Sequence, residues 1–294
     1  MAGAGRVGRG WRATMNGTRR WWDDGWSPSD ASGTVRVIDS WLVDEGRVRG
    51  FPLHAQRFTD ACSRFAEDRS GFADTGGRFT EARSGFSAPA ADGFLSAVAE
   101  SLPAQGRWFP RVELVETGSV LRLRFWLRPA PPRTSTVRLW TAGTDRRTLP
   151  AVKGADLDHL NALRAAAVAA GADEALLLSP EGHVLEGSTT SIVWWRGDTL
   201  CGPPPGPGLL PGITRALLGE LAGQPLVAEP ATPAELADVP VWTVNALHGV
   251  RPVTAGLGRF READLARAEH WQSRLEALAS FPVPTTSRRF TDVR

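Results

Sequence analysis

The chemistry of this chain is first suggested by Lys153, the only lysine among 34 lysine and arginine residues. Arginine can replace lysine on most solvated surfaces, but it cannot lose its proton and attack a carbonyl group. A lysine that persists in so arginine-rich a chain is therefore a candidate for Schiff-base chemistry. A compositional bias toward arginine, glycine and proline is the alternative explanation, because one lysine can persist by chance.

Two further segments carry groups that could bind a cofactor. The run Glu-Gly-Ser-Thr-Thr-Ser at 186–191 places a carboxylate before a turn rich in hydroxyl groups, and Leu-Pro-Gly-Ile-Thr-Arg at 210–215 precedes a predicted helix. The N–H groups of a helix start, together with a threonine hydroxyl, can hold a phosphate. Taken singly, each segment also fits an ordinary turn or helix cap.

The elements that must position these residues are strands and helices in two halves. The patterns predict strands at 35–43, 47–51, 111–116, 120–127, 137–140, 175–178, 184–195 and 240–245, and helices near 54, 92–101, 157–170, 213–223 and 262–279. The strand at 120–127 alternates apolar and polar residues, which predicts one polar face. Asp156 is expected to cap the helix that ends at Gly171. Such a mixture favours an α/β or α+β architecture.

The predicted organisation has four parts. Residues 1–33 are rich in Gly, Arg and Trp and are interpreted as an extension that is possibly disordered, although their tryptophans could also dock on the domain or on a partner. A small α/β domain covers 34–145, a larger domain covers 146–285, and 286–294 form a tail. Within the first domain, residues 64–72 recur almost unchanged at 78–86, which indicates an insertion or a mobile loop.

Composition excludes several classes of protein. The chain is 42% hydrophobic and 22% charged with a net charge of +2, and the absence of a dense basic block argues against a nucleic-acid partner. Its apolar runs are too short for a membrane span, and its N-terminus lacks the apolar core of a secretory signal. Cys62 and Cys201 show no metal-ligand spacing, so we expect no metal and a cytoplasmic location.

Together, residues 173–178, 184–188 and 209–215 match in order and spacing the signature of the class IV aminotransferases. The sequence thus resembles a family that includes branched-chain aminotransferases, D-amino acid aminotransferases and aminodeoxychorismate lyases, and the resemblance extends more weakly over residues 34–255. It implies a two-domain fold of PLP fold type IV, pyridoxal 5′-phosphate in the interdomain cleft, and a homodimer.

The resemblance also locates the Schiff-base lysine. In the family this lysine precedes the acidic residue of an Asp-Glu-Ala strand by about 21 residues, and counting back 21 residues from Glu174 reaches Lys153. A second alignment is open, because His159-Leu160-Asn161 resembles the segment that usually follows the lysine, and Asp158 would then take its place. The spacing favours Lys153.

The remaining site residues are also implied by the resemblance. Lys153 would form the Schiff base and shuttle the substrate proton, and Glu186 would pair with the pyridine nitrogen. The cofactor phosphate and ring would contact Arg57, Thr190, Leu210, Ile213 and Thr214. On the substrate side we expect Arg133 and Asn245, while His248 and Arg251 fit either the rim of the site or a turn.

Three functions follow as hypotheses. The first is an aminotransferase that exchanges an amino group between an amino acid and a 2-oxo acid. The second is a lyase on the same scaffold that converts aminodeoxychorismate to 4-aminobenzoate and pyruvate, which the segment 245–253 favours. The third is a catalytically idle relative that acts as a binding protein.

Overall fold

The computed structural model describes residues 19–29, 32–71 and 88–282. The chain has an α/β fold and divides into two compact units: unit 1 comprises Met1–Pro131 with Ser280–Arg294, and unit 2 comprises Pro132–Ala279. The fold class expected from the sequence is confirmed. Among the described residues, no helix combines the length and the apolar character needed to cross a membrane.

Both units contain helices and strands. The first part of the chain forms β1 (Arg19–Trp22), β2 (Trp26–Pro28), β3 (Thr34–Ser40), β4 (Val43–Asp44), β5 (Arg47–Arg49), α1 (Phe51–Gly71), α2 (Ala88–Ser101), β6 (Arg107–Trp108), β7 (Arg111–Thr117) and β8 (Val120–Trp126). The second part forms β9 (Val137–Thr144), α3 (Leu157–Ala169), β10 (Glu174–Leu178), β11 (Val184–Gly187), β12 (Ser191–Arg196), β13 (Thr199–Gly202), α4 (Ile213–Ala222), β14 (Val227–Ala228), β15 (Val241–Asn245), β16 (Gly249–Ala255), α5 (Ala263–Ala277) and β17 (Ala279–Ser280).

Unit 1 is built on an antiparallel five-stranded sheet in the order β2-β1-β8-β7-β3. Strands β4 and β5 form a hairpin, with Val43 opposite Val48. The two residues at its turn, Glu45 and Gly46, have φ values of 48° and 75°. Positive φ at both positions is the geometry of the hairpin turn that matches strand twist.

The segment Arg19–Pro28 is docked on unit 1. Strand β1 pairs with β8, and the rings of Trp22 and Trp26 lie 6.4 and 5.9 Å from the ring of Phe94 on α2. Trp26 also contacts Phe125 of β8 at 5.5 Å between ring centroids. For these described residues, the structure shows the docked arrangement and not a free tail, because the indoles complete an aromatic core.

The duplicated segment is described only in part. Residues 64–71 belong to the C-terminal part of α1, and residues 72–87 lie outside the described residues. The interpretation of 64–86 as an insertion or mobile loop therefore stays a prediction.

Unit 2 contains a mixed eight-stranded sheet in the order β11-β10-β9-β16-β15-β12-β13-β14. Strand β9 is parallel to β10 and to β16, and it thus belongs to the sheet of unit 2, although the sequence analysis assigned 137–144 to the first domain. Helix α3 packs on β9 and β10, and α5 packs on β16 and α4. The core includes the fully buried Trp194 and Leu176. This sheet carries the turns that follow β9 and β11.

Candidate functional site

Lys153 lies in the loop that joins β9 to α3, and its side chain is half-buried. Asp156 closes this loop: Oδ1 accepts hydrogen bonds from the backbone N–H and the hydroxyl of Thr148, both at 2.9 Å, and Oδ2 accepts one from Leu149 N–H at 3.0 Å. Burial alone would raise the pKa of Asp156, but these hydrogen bonds hold it below its ordinary value. The loop is therefore fixed at its base.

The expected role of Asp156 as a helix cap is wrong. Asp156 occupies the position before α3, but its side chain makes no capping hydrogen bond to that helix. Both of its oxygens point back to the loop that contains Lys153. The local pattern predicted the position of the helix start correctly. The carboxylate of Asp156, however, binds Thr148 and Leu149 and does not bind the N–H groups of the helix.

Glu186 on β11 is buried, with 4% of its surface exposed. Its Oε1 accepts a hydrogen bond from Leu210 N–H at 3.1 Å and another from Arg147 Nη1. Within the part of the chain that the structure describes, no group donates to Oε2. Burial raises the pKa of Glu186, against the opposing positive charges of Arg147 and Lys153. The positive charge of Lys153 thus lowers the pKa of Glu186, the carboxylate that the family resemblance assigns to the same cofactor site.

Arg147 was missed by the sequence analysis. Its guanidinium binds Asp145 through Nε at 3.0 Å and Nη2 at 2.8 Å, donates from Nη2 to the carbonyl of Gly208 at 3.1 Å, and reaches Glu186 through Nη1. Burial alone would lower its pKa, but the two carboxylates raise it above its ordinary value. Arg147 therefore ties the end of β9 to β11 and to the loop before Leu210, and in an arginine-rich chain no motif marks it.

The turn after Glu186 is anchored by Glu174 on β10. This buried carboxylate accepts hydrogen bonds from the Ser188 hydroxyl, the Thr189 hydroxyl and, at 3.1 Å, the Thr189 N–H. The role of Glu174 in holding this turn was not predicted from the sequence. Its side chain fixes the backbone that presents the next residue, Thr190.

Thr190 is 5% exposed, and its hydroxyl is buried without a hydrogen-bond partner in the described part of the chain. A Cβ on Gly187 would lie 2.3 Å from this hydroxyl, so only glycine fits there. A buried polar group without a partner costs about 1–3 kcal/mol. The orphaned hydroxyl therefore points to an acceptor or donor supplied by a ligand.

Helix α4 begins beside this turn. Gly212 occupies the cap position without a side-chain cap, and a Cβ there would lie 2.4 Å from the hydroxyl of Ser191. Ile213 and Thr214 are buried in the first turn. The first N–H groups of a helix have no acceptor within it, and they attract anions. The hydroxyl of Thr190 and this helix start thus suit a phosphate group.

Arg57 lies on α1 in unit 1 and makes a bidentate ion pair with Asp39 of β3. Its Nε and Nη2 each lie 2.8 Å from an Asp39 oxygen, and Nδ1 of His54 lies 2.9 Å from Oδ1. Burial would raise the pKa of the fully buried Asp39, but Arg57 and His54 hold it well below its ordinary value. The phosphate role of Arg57 stays a prediction.

Two predicted substrate residues belong to a single hydrogen-bond network of unit 2. Arg133 donates to the His248 carbonyl at 3.0 Å and to Glu276 at 2.9 Å. Asn245 donates to the Thr189 carbonyl at 3.3 Å and accepts from His248 N–H at 2.8 Å. The network therefore links both residues to the turn that carries Thr190.

The other two residues of the 245–253 segment point into the same network. His248 Nδ1 accepts a hydrogen bond from Thr134 N–H at 3.1 Å, and Arg251 donates to the Thr134 hydroxyl at 3.0 Å. Arg251 is buried, which lowers its pKa against the raising effect of Glu174. A role of Arg251 in supporting the network is therefore better founded than a role at an exposed rim.

The residues brought together in unit 2 fit a phosphorylated pyridine that carries an aldehyde. Lys153 supplies an amine, Glu186 a buried carboxylate with one oxygen open to a ring nitrogen, and Thr190 with the start of α4 a phosphate site. Leu210 supplies a half-buried apolar side chain next to Glu186. Within the described ranges, no group of three or more His, Cys, Asp or Glu side chains is arranged to hold a metal ion.

Comparison with known proteins supports the same chemistry. The family described as amino-transferase class IV matches residues 36–255. No curated protein matches the sequence.

Several solved structures share the fold at low sequence identity. A branched-chain aminotransferase from Thermoproteus uzoniensis is 20% identical, with a TM-score of 0.66 and coverage of 89% of this chain and 96% of the other. A hypothetical aminotransferase from Mycobacterium tuberculosis in its PLP-bound form is 21% identical, with a TM-score of 0.65 and coverage of 89% and 98%. A putative 4-amino-4-deoxychorismate lyase from Legionella pneumophila is 17% identical, with a TM-score of 0.64 and coverage of 86% and 98%.

Proposed function

Because the chain belongs to the class IV aminotransferase family, we propose that it binds pyridoxal 5′-phosphate at Lys153 and transfers an amino group between an amino acid and a 2-oxo acid. The observation that carries the proposal is the buried Glu186 carboxylate within electrostatic reach of Lys153, the only amine side chain of the protein. The cofactor supplies an aldehyde that condenses with amines and a protonated ring that withdraws electrons.

Lys153 has two tasks in this proposal. Its amine would hold the cofactor through the cofactor's aldehyde group. As the only amine side chain of the chain, it would also take up and return the proton at the substrate Cα. The loop closed by Asp156 positions the side chain for both tasks, because it fixes the backbone on the N-terminal side of Lys153.

Glu186 and Arg147 act as a unit at the ring nitrogen. Oε1 of Glu186 is occupied by Arg147 and by Leu210 N–H, which leaves Oε2 to accept the ring N–H. Arg147 opposes the effect of burial on the carboxylate and favours its ionised form. An ionised Glu186 keeps the proton on the ring nitrogen, which the electron-withdrawing role of the ring requires.

A second group of residues in unit 2 would hold the phosphate. The Thr190 hydroxyl and the N–H groups of Ile213 and Thr214 would donate to its oxygens, and Gly187 and Gly212 leave the space that side chains would fill. We include Arg57 as a further phosphate ligand on the strength of the sequence resemblance. The same resemblance supports a homodimer, which light scattering of the purified protein tests, and the cytoplasmic location expected from the sequence is kept as part of the proposal.

The second candidate is an aminodeoxychorismate lyase. The segment 245–253 resembles that of the lyases, and Asn245 contacts the Thr189 carbonyl beside the orphaned Thr190 hydroxyl. Both activities use Lys153 in the same way and differ in the bond that breaks next. A binding protein without catalysis is the third candidate.

Absorbance and covalent trapping test the role of Lys153. With added cofactor, the wild-type protein is expected to show a band near ~420 nm. Borohydride reduction should then fix the cofactor on the peptide that contains Lys153, which mass spectrometry identifies. Lys153→Arg keeps the charge but cannot form the Schiff base, so it serves as the matched control. Absence of the band and of the trapped peptide in the wild type would reject both enzymatic functions.

Product analysis separates the two activities. An aminotransferase converts amino acids only when a 2-oxo acid acceptor is present. Release of 4-aminobenzoate from aminodeoxychorismate without an acceptor would reject the aminotransferase assignment in favour of the lyase.

A further inference from the structure

One face of the sheet of unit 1 carries arginine and tryptophan in rows. Strand β8 directs Phe125 toward the helices, where it contacts Trp26, and directs Arg124 and Trp126 to the opposite face. On that face, Trp126 is paired in register with Arg19 of β1 on one side and with Arg111 of β7 on the other. In this row of the sheet, one guanidinium group therefore lies on each side of an indole.

A third guanidinium reaches the same indole. The guanidinium carbon of Arg19 lies 4.3 Å from the ring centroid of Trp126, and that of Arg128 lies 5.1 Å from it. A hydrogen bond from Nε of Arg128 to the carbonyl of Phe109, at 2.8 Å, fixes the position of this guanidinium group. The indole thus serves as a platform on which positive charge is collected.

This charge is only partly compensated. Glu113 pairs with Arg111, at 2.7 Å from Nε, and with Arg124, so a single carboxylate faces several guanidinium groups. Burial and the charges of Arg19 and Arg124 hold the pKa of Arg111 below its ordinary value, against the attraction of Glu113. Burial and the charge of Arg111 do the same for Arg128. Several positively charged guanidinium groups therefore lie close together in this half-buried part of the sheet.

Buried donors in this row lack acceptors. Within the described residues, Arg19 Nε and Trp126 Nε1 are buried and make no hydrogen bond. Arg111 Nε lies 2.7 Å from Oε1 of Glu113 and is paired with that carboxylate. Arg19 Nε and Trp126 Nε1 are both donors, and burial of a donor without an acceptor is unfavourable. What the row lacks is an acceptor with negative charge.

The neighbouring row provides an internal comparison. Arg124 has Glu113 as its partner and lies over Trp21, with its guanidinium carbon 5.0 Å from that ring centroid. Arg122 lies 4.4 Å from the same ring centroid and is paired with Asp23. Both arginines lie on the same strand over the same indole, but Arg122 has a carboxylate of its own, whereas Arg124 shares Glu113 with Arg111. The shortage of acceptors is therefore greater in the row of Trp126 than at Arg122.

We propose that the row formed by Arg19, Trp126 and Arg111, with Arg128 beside it, binds the oxyanion of a small molecule, either a carboxylate or a phosphate group. Arginine forks match both groups and form charge-assisted hydrogen bonds with them. Asp39, which binds Arg57, faces α1 on the other side of the same sheet. The oxyanion site is therefore additional to any phosphate contact of Arg57.

The indole N–H signal of Trp126 gives a direct test. The full chain is labelled with ¹⁵N-tryptophan and saturated with pyridoxal phosphate, and its twelve indoles are observed by NMR. Trp126→Phe assigns the resonance. Titration with inorganic phosphate or with succinate is expected to shift this resonance in a saturable way, and the anion that binds more tightly identifies the class of ligand. No saturable shift with either anion, or an equal shift with chloride at matched ionic strength, would overturn the proposal.

Variants separate the site from general electrostatics. Arg19→Gln is expected to weaken binding of the preferred anion at least tenfold, because it removes a flanking donor and its charge. Arg122→Gln, on the same face but with its own carboxylate, should change the affinity less than twofold. If Arg19→Gln alters the other indole signals, Arg128→Gln replaces it. Equal effects of the Arg19 and Arg122 substitutions would contradict a specific site.

Discussion

Two buried arginine–carboxylate pairs, one in each unit, differ in how completely the carboxylate is bonded. In unit 1, Arg57 occupies both oxygens of Asp39 and His54 adds a further contact. In unit 2, Arg147 and Leu210 N–H both bind Oε1 of Glu186, and no described group donates to Oε2. A saturated carboxylate can only hold its surroundings together, whereas a half-saturated one has capacity for a ligand. We therefore expect substitution of Asp39 to change stability most and substitution of Glu186 to change cofactor chemistry most.

The largest expected effect is on the stability of unit 1. Asp39→Asn keeps the shape of the side chain but removes the buried negative charge that Arg57 and His54 contact. Breaking a buried pair in this way costs about 3–5 kcal/mol. Chemical denaturation followed by circular dichroism should show the lower free energy of unfolding.

The exposed pair Arg36–Glu116 in the same sheet supplies the control. The Arg36 side chain is 41% exposed, so Glu116→Gln is expected to cost less than about 1 kcal/mol. If Asp39→Asn cost no more than Glu116→Gln, the interpretation of Asp39 as a structural carboxylate would be wrong.

The second effect is on catalysis in unit 2. Glu186→Gln keeps the size of the side chain but removes the charge that holds a proton on the ring nitrogen. We expect the turnover rate to fall about 100-fold, which corresponds to about 2.7 kcal/mol of transition-state stabilisation. The free energy of unfolding should change far less than in Asp39→Asn. Steady-state kinetics measure the turnover rate, and denaturation of the same sample measures the free energy of unfolding. A Glu186→Gln variant that loses stability but keeps its turnover rate would contradict the prediction.

The sequence could predict one member of each pair but not the other. Glu186 and Lys153 were found because they lie at fixed spacings within a family signature, and Arg57 was found through the same family resemblance. Arg147 and Asp39 were missed because their partners are distant in sequence and because neither stands in a recognisable pattern. The docking of Trp22 and Trp26 was likewise not decided, since a segment without periodicity gains its order only from the core that it contacts.

A third, smaller effect is expected from Arg147. Arg147→Gln removes the contact between Asp145, Glu186 and the Gly208 carbonyl while the fold of the sheet is retained. Affinity for pyridoxal phosphate should fall about tenfold, or about 1.4 kcal/mol, because the carboxylate loses its orientation and the charge that favours its ionised form.

The adjacent Arg146 is exposed and provides a matched control. Fluorescence titration with the cofactor measures both variants, and Arg146→Gln should bind like the wild type. Similar losses in the two variants would indicate a general charge effect on the anionic cofactor and would exclude a specific role for Arg147.

The smallest effect is the pH dependence of stability, and its sign differs between the two carboxylates. The pKa of Asp39 is lowered on folding, so the contribution of Asp39 to stability is present above the ordinary value of 3.8 and is lost as the pH falls below it.

The pKa of Glu186 is raised by burial, so the unfolded chain releases this proton near the ordinary value of 4.5 while the folded chain retains it to higher pH. Stability of the cofactor-free protein should therefore decrease as the pH rises from 4.5 toward neutrality, and Glu186→Gln should remove this decrease. Urea denaturation at intervals between about pH 4 and 7 measures the slope, because fewer bound protons in the unfolded state mean a loss of stability with rising pH. A Glu186→Gln slope equal to that of the wild type would show that Arg147 and Lys153 offset the burial of this carboxylate completely.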